Sequence, residues 1–397
     1  VTDRLIADGR RATRVARNEH GVALPMSLFT LLVTSALALA FIALAQTEPT
    51  IAENQLRAAQ ARSLAESGIE RALWALTHAT EPGAFGGTGA SPNMAIAATA
   101  AAPYDGSIFL RVGTTGGVHL TVTGSDRHLR TARAVGWTPT SDPGDPRQKT
   151  RSEIIATLAR VPNLAREAPC ALCLGGAATV TASIIDARGS DSTDCSAKVG
   201  LAGAGPLTID ASGQIFGAGA PPTGLATLEG RDWRAATPPM LSTDDLDTLR
   251  ALAATRGTYV RPPAGARQTL REVPAGLVFV DTPAGTNSVD ATNTAEVTIG
   301  PEFAATPPFR GWLVVNGSVT LEAGAALEGV LYASDALILE GPASVTGLVI
   351  VRQTLGTPLM LSALSVTFGC EAARAAGLLP QGWFVRAGGY CDGTAGC

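Results

Sequence analysis

The sequence predicts an α+β protein: a long N-terminal membrane-spanning helix, then a mainly β extracytoplasmic region with a β-solenoid-like repeat. Three observations predict it. Val22–Thr47 carries no charged residue and passes into a stretch of strong helix formers ending near His78. The remainder is punctuated by turn residues, with 44 Gly and 25 Pro in the whole chain, and its apolar residues fall in strand-length runs. Two consecutive segments, 316–333 and 334–351, repeat each other at a spacing of 18.

Composition narrows the function classes. Charged residues make up 16%, against about 25% in ordinary soluble domains. The net charge is −4 and the mean hydropathy +0.20. So small a net charge argues against intrinsic disorder. The lack of a basic excess argues against a nucleic-acid partner.

Residues 1–21 form a polar leader containing Arg10, Arg11, Arg14 and Arg17. About 24 helical residues at ~1.5 Å each reach ~36 Å, enough for a hydrocarbon core of ~30 Å. The arginines on one side place the N-terminus in the cytoplasm and the chain beyond Thr47 outside. Three readings of this start are open. One is a secretory signal cut after Ala45, although its apolar region exceeds the usual length of about 7–15 residues. Another is an uncleaved signal anchor. The third is a basic leader ending in Gly21, cut before Val22, ahead of an apolar helix that continues unbroken into an amphipathic one.

The helical segment is assigned to 22–80. Ile51, Leu56, Ala59, Leu64 or Ala65, Ile69, Leu73 and Leu76 recur near helical spacing. Glu53 and Arg57 form a supporting i,i+4 pair. Pro49 is expected to kink or interrupt the helix.

The run from Asn18 to Leu76, with its Gly21-Val22 junction and the Ala61–Ala72 stretch ARSLAESGIERA, resembles the N-terminal region of PilX-type minor pilins and pilus-assembly proteins. The resemblance spans about residues 17–78. It implies cleavage between Gly21 and Val22 by the prepilin peptidase and methylation of the new N-terminus at Val22. It also implies the membrane and other pilins or pseudopilins as partners of the helix. The implied location is the bacterial inner membrane, single-pass, with the C-terminal region periplasmic or on the pilus surface. The implied role is that of a minor pilin in type IV pilus assembly, at the tip or in priming. A minor pseudopilin of type II secretion is the neighbouring alternative. Major pilins carry Glu at the fifth mature position, and this chain has Met26 there. That departure fits a minor component and makes leader cleavage less certain.

Residues 81–168 read as a linker followed by an antiparallel β module. Glu81–Pro103 is rich in Gly, Ala, Pro and Thr. Strand-like runs follow at 107–112, 117–123, 129–137 and 154–161, of which GVHLTVT alternates most clearly. Ile69, Leu73 and Leu76 are expected to supply the helix face on which this meander packs.

Residues 169–397 read as a Gly-rich, β-solenoid-like domain. In the repeat, Val319 matches Leu337, Leu321 matches Leu339, Glu322 matches Glu340 and Gly329 matches Gly347. A weaker echo lies at 171–191 and 205–220. The two halves are expected to stack, with a helix at Asp244–Thr255, capped by Ser242 or Thr243, inserted between them. An all-β sandwich is the plainer alternative.

Chemistry is sparse. Cys170, Cys173, Cys195, Cys370, Cys391 and Cys397 all lie beyond the membrane segment, where disulfides form. Many connectivities are open; the expected one closes bonds within 170–195 and ties Cys370 to Cys391 or Cys397. Zinc would need more ligands than the Cys170-x-x-Cys173 pair offers, and a redox reading lacks a βαβ context. His119 and His128 read as exposed strand residues. Glu322 and Glu340 would stack ~4.8 Å apart on adjacent rungs and read as exposed turn residues. Asp186, Asp191 and Asp194 read as solvated rather than calcium-binding. With no hydrolase elbow, phosphate loop or metalloprotease motif, no enzymatic activity, metal or cofactor is expected. A membrane-anchored β-solenoid adhesin or glycan-binding protein is the alternative of a different class.

Overall fold

The computed structural model describes residues 22–77, 102–124, 127–140, 142, 144–146, 150–190, 195, 197–217, 227–228, 231–235, 240–304, 308–375, 378–380 and 382–393. Helix α1 occupies Ala23–Thr77, 55 residues, and Pro49 sits inside it without ending it. Alanine, leucine and the charged helix formers dominate its length. Its first turn closes with the Met26 amide donating to the Val22 carbonyl at 3.1 Å. The leader, including Gly21, and the linker at 78–101 lie outside the described residues.

Four strands follow: β1 (Asp105–Val112), β2 (Gly116–Thr123), β3 (Leu129–Thr138) and β4 (Thr150–Arg160). They pair antiparallel in chain order. Alternation sets the buried face: Val118, Leu120 and Val122 of β2 turn inward with Ala132 and Ala134 of β3 and Ile154, Ala156 and Leu158 of β4. The second half of α1 packs on that face.

Helix α2 (Leu164–Glu167) leads into a different architecture. The next strands are β5 (Cys170–Leu174), β6 (Ala178–Thr181), β7 (Ile184–Asp186), β8 (Val199–Gly203), β9 (Leu207–Ile209), β10 (Gln214–Phe216), β11 (Thr227–Leu228) and β12 (Arg231–Ala235). Helix α3 (Thr243–Arg256) follows. Then come β13 (Thr258–Val260), β14 (Arg267–Leu270), β15 (Gly276–Val280), β16 (Ala295–Ile299), β17 (Arg310–Val315), β18 (Gly317–Leu321), β19 (Ala326–Ala333), β20 (Leu337–Leu339), β21 (Ala343–Val351), β22 (Leu359–Ser362) and β23 (Leu364–Thr367). Helix α4 (Cys370–Arg374) and β24 (Trp383–Asp392) end the described chain.

Apart from β11, which pairs β12 antiparallel, and β24, these strands stack in parallel. One sheet runs β12-β8-β5-β21-β19-β17-β15-β13, and a second runs β14-β16-β18-β20. The self-match at a spacing of 18 appears as direct pairing: Val319 lies opposite Leu337, and Gly329 opposite Gly347. Parallel strands covered on both faces read as continuous apolar runs, and GLVFV of β15 is buried at every position. Chain order and stacking order differ. The early strands sit beyond the late ones, joined where β21 pairs β5. Helix α3, about 21 Å long, packs on β15 and β13 and feeds the chain into the far end of the stack. The sequence placed this helix at Asp244–Thr255; it begins at Thr243, with Ser242 and Asp245 forming a capping box.

One boundary is corrected. The assignment of 169–397 to a single domain fails at its end, because β24 leaves the stack and pairs antiparallel with β4 of the first sheet. Strand β4 otherwise has a free edge, and pairing its backbone groups satisfies them. The sequence of β24, WFVRAGGYCD, gave no sign of which edge it would join.

Candidate functional site

Three places collect the features with functional content: the bare half of α1, its docked half, and the junction between the two β modules.

The first half of α1 is long and apolar enough to cross a membrane and is unburied in the fold. Leu24, Met26, Phe29, Leu32 and Phe41 are each more than 60% exposed. Its hydroxyls fold back on the helix: Thr30 donates to the Met26 carbonyl at 2.9 Å and Thr34 to that of Thr30 at 2.8 Å. The segment therefore shows its surroundings almost no unsatisfied polar group, as an apolar medium requires. Val22 stands exposed at the start.

The second half docks through small residues. Ala61, Ala65, Ala72 and Ala75 are fully buried, beside Ile69 and Leu76; Leu73, expected on this face, is only partly buried. Opposite them, Gly136 admits the helix backbone itself: a Cβ at that position would overlap the Ala61 carbonyl oxygen. Gly68 is the reciprocal gap on the helix, where a Cβ would lie 2.8 Å from Val118 Cγ2 and 2.9 Å from Ala134 Cβ. Bulky residues were the visible sequence signal, and the close approach made by alanine and glycine was not.

The junction overturns the reading of His128 as an exposed strand residue. The side chain is buried, with Nδ1 2.8 Å from Asp245 Oδ1 on α3 and Nε2 3.4 Å from Glu167 on α2. Arg160 and Arg127 reach the same Glu167 at 3.5 and 3.9 Å. Burial lowers the imidazole pKa, but the two carboxylates outweigh it and lift the pKa to about 9. Burial raises the Glu167 pKa, and His128 with the arginines more than offsets this, leaving it below the ordinary value. His119 instead lies on the open sheet face, its ring centroid 5.0 Å from that of Phe109.

A second polar cluster fastens α3 to the stack. Arg250 donates from Nε to Asp281 Oδ2 at 2.7 Å and from Nη2 to Oδ1 at 3.0 Å, and Tyr259 donates to the same carboxylate at 2.9 Å. Asp281 is fully buried.

The cysteines pair partly as expected: one bond closes within 170–195, and Cys370 finds a different partner. Cys170 bonds Cys173 within β5, and Cys195 bonds Cys370 across 175 positions, closing the seam between the two halves of the stack. The expectation that Cys370 would reach the C-terminal cysteines is therefore corrected; stacking order, invisible in the sequence, brings it to Cys195. Cys391 is disulfide-bonded, while Cys397 lies outside the described residues. Glu340 faces Arg267 at 3.9 Å, and Asp186 pairs with Arg188 at 2.6 Å. Asp191 and Asp194 fall outside the described residues. Among the described residues no group of His, Cys, Asp and Glu is arranged to hold a metal.

No family model matches this sequence, and no curated protein matches it. Among solved structures, the competence-associated pilin ComZ from Thermus thermophilus is similar at 13% identity, over 85% of this chain and 97% of that one, with a TM-score of 0.21. At that TM-score the likeness is too slight to assign a fold or a role.

Proposed function

We propose that this chain is a minor pilin acting in type IV pilus assembly, at the tip or in priming. One observation carries the reading: a single helix is bare and apolar over its first half and embedded in an antiparallel sheet over its second. In this reading the prepilin peptidase cuts between Gly21 and Val22, and Val22 becomes the methylated N-terminus. The helix is held in the bacterial inner membrane with its N-terminus cytoplasmic, then passes into a filament and packs on other pilins. The parallel stack, read as a β-solenoid-like domain, faces outward into the periplasm or from the pilus surface, without cofactor or catalytic role. Met26 lacks a carboxylate to pair with a neighbour's amine, so this subunit need not recruit another beneath it.

N-terminal sequencing of the membrane-extracted protein tests the reading. A methylated Val22 is expected. A start at Gln46 or an intact leader would overturn it. The size of the stack favours one further reading, a membrane-anchored adhesin or glycan-binding protein. Deleting the leader separates the two: loss of filaments supports the pilin, whereas normal filaments with lost attachment support the adhesin. A pseudopilin would instead lose secretion.

A further inference from the structure

Strands β13 and β14 form the last turn of the parallel stack, and among the described residues each pairs on one side only, with β15 and with β16. Residues 256–272 carry Arg256, Arg261, Arg267 and Arg271 against a single acid, Glu272. The arginines bracket the two strands: Arg256 and Arg261 flank β13, Arg267 opens β14 and Arg271 follows it. All four are exposed. At ~3.3 Å per residue, the backbones of Arg256 and Arg261 are up to ~16 Å apart and those of Arg267 and Arg271 up to ~13 Å. Arg267 is loosely engaged, with Glu296 at 3.6 Å and Glu340 at 3.9 Å. Arg261 donates from Nε to the Pro283 carbonyl at 2.8 Å, which holds its guanidinium in place. Among the described residues Arg256 and Arg271 meet no carboxylate. Between Arg256 and Arg261 lies Tyr259, whose ring is stacked on Phe279 of the next turn with 6.4 Å between centroids and 20° between planes. Its other face is turned away from the stack, and the residue is 37% exposed.

We propose that this end of the stack binds a carboxylated polysaccharide, a chain of uronic acid sugars. One sugar ring lies on Tyr259, where the electropositive C–H face meets the negative π face of the phenol. The carboxylates take Arg256, Arg261 and Arg271, whose guanidinium forks match them in shape. The outer backbone edges of β13 and β14 offer N–H and C=O groups to the hydroxyls. A nucleic acid fits less well. Duplex DNA carries one charge per ~1.7 Å of axis, far denser than these separated arginines, and the whole chain is itself negative at −4. The inference uses only the end of the stack, so it holds for a filament subunit and for an anchored protein alike, and its failure leaves both readings of the helix standing.

The test is calorimetric titration of the full chain in detergent with octagalacturonate, at low salt and at ~0.5 M salt. The same oligomer with its carboxyls reduced to alcohols is the comparison ligand. Octagalacturonate is expected to saturate below ~1 mM and to weaken at high salt, and the reduced oligomer to bind about tenfold more weakly. Arg256→Gln, Arg261→Gln and Arg271→Gln combined are expected to weaken octagalacturonate about tenfold with the thermal midpoint unchanged. Tyr259→Phe, which keeps the ring, should retain binding, and Tyr259→Leu should weaken it. Arg188→Gln, whose side chain pairs with Asp186 elsewhere on the stack, should change nothing. Equal binding of the acidic and reduced oligomers, no saturation by ~5 mM, or tighter binding of duplex DNA at the same salt would each overturn the proposal. So would a triple variant that binds normally but self-associates, since the arginines would then only guard an open sheet edge.

Discussion

His128 Nδ1 lies 2.8 Å from Asp245 Oδ1, although 117 positions separate the two residues. The contact joins the antiparallel sheet to the helix that feeds the parallel stack, and Glu167 completes it from the other side of the ring. The two modules are thus held together by a buried, charged histidine.

That arrangement makes stability depend on pH. The folded-state pKa of about 9 stands above the ordinary histidine value near 6.5. The folded chain therefore holds its proton where the unfolded chain has lost it. The contribution is full below about pH 6.5 and disappears as pH rises through about 9, a span worth about 3 kcal/mol. Urea midpoints measured across this range should fall with rising pH in the wild type. His128→Gln should be less stable at neutral pH and flatter above it; a parallel decline in both would show that His128 is not the source.

Removing Arg250 leaves the Asp281 carboxylate buried without its bidentate partner. Arg250→Ala is expected to cost about 3–5 kcal/mol. Arg250→Ala combined with Asp281→Asn should recover part of that loss, because the uncompensated charge is then gone. Denaturant midpoints of the single and double variants check it.

Gly276, Gly311, Gly329 and Gly347 lie opposite one another in adjacent strands, each with φ between 120° and 148°. A Cβ on Gly329 would overlap the Gly311 carbonyl oxygen, and the parallel pairing leaves no room to shift. Gly329→Ala should cost ~3 kcal/mol or more. Gly356→Ala, also at positive φ but with nothing within 4 Å, should cost only the conformational penalty of about 1–2 kcal/mol. Thermal midpoints of the two variants distinguish overlap from backbone preference.

Gly136→Val is expected to lift α1 off the sheet, since the Ala61 and Ala65 backbones occupy the space a side chain needs. Increased proteolysis within 61–77 would report the loss. The neighbouring outward-facing Val135→Thr should leave the digestion pattern unchanged.

The Cys195–Cys370 bond closes a separation of 175 positions at the seam of the stack. Replacing both cysteines by serine should lower stability by about 2–5 kcal/mol. The denaturant midpoint of the oxidised wild type against the double variant measures it.

Local pattern determined much of this protein. The uncharged run from Val22, the strands of the first sheet, the repeat around 316–351 and the capped helix after Ser242 are each written in a few neighbouring residues, because side-chain periodicity and capping act over one or two turns. Only tertiary structure decided the rest. Strand β24 joined β4 because a sheet edge must be paired or covered, whichever part of the chain supplies the strand. Cys370 met Cys195 because the late strands stack beneath the early ones. His128 became a buried cation because α2 and α3 bring carboxylates to it from distant positions. Burial and charge pairing are properties of what surrounds a residue in space, and neighbours in sequence do not specify them.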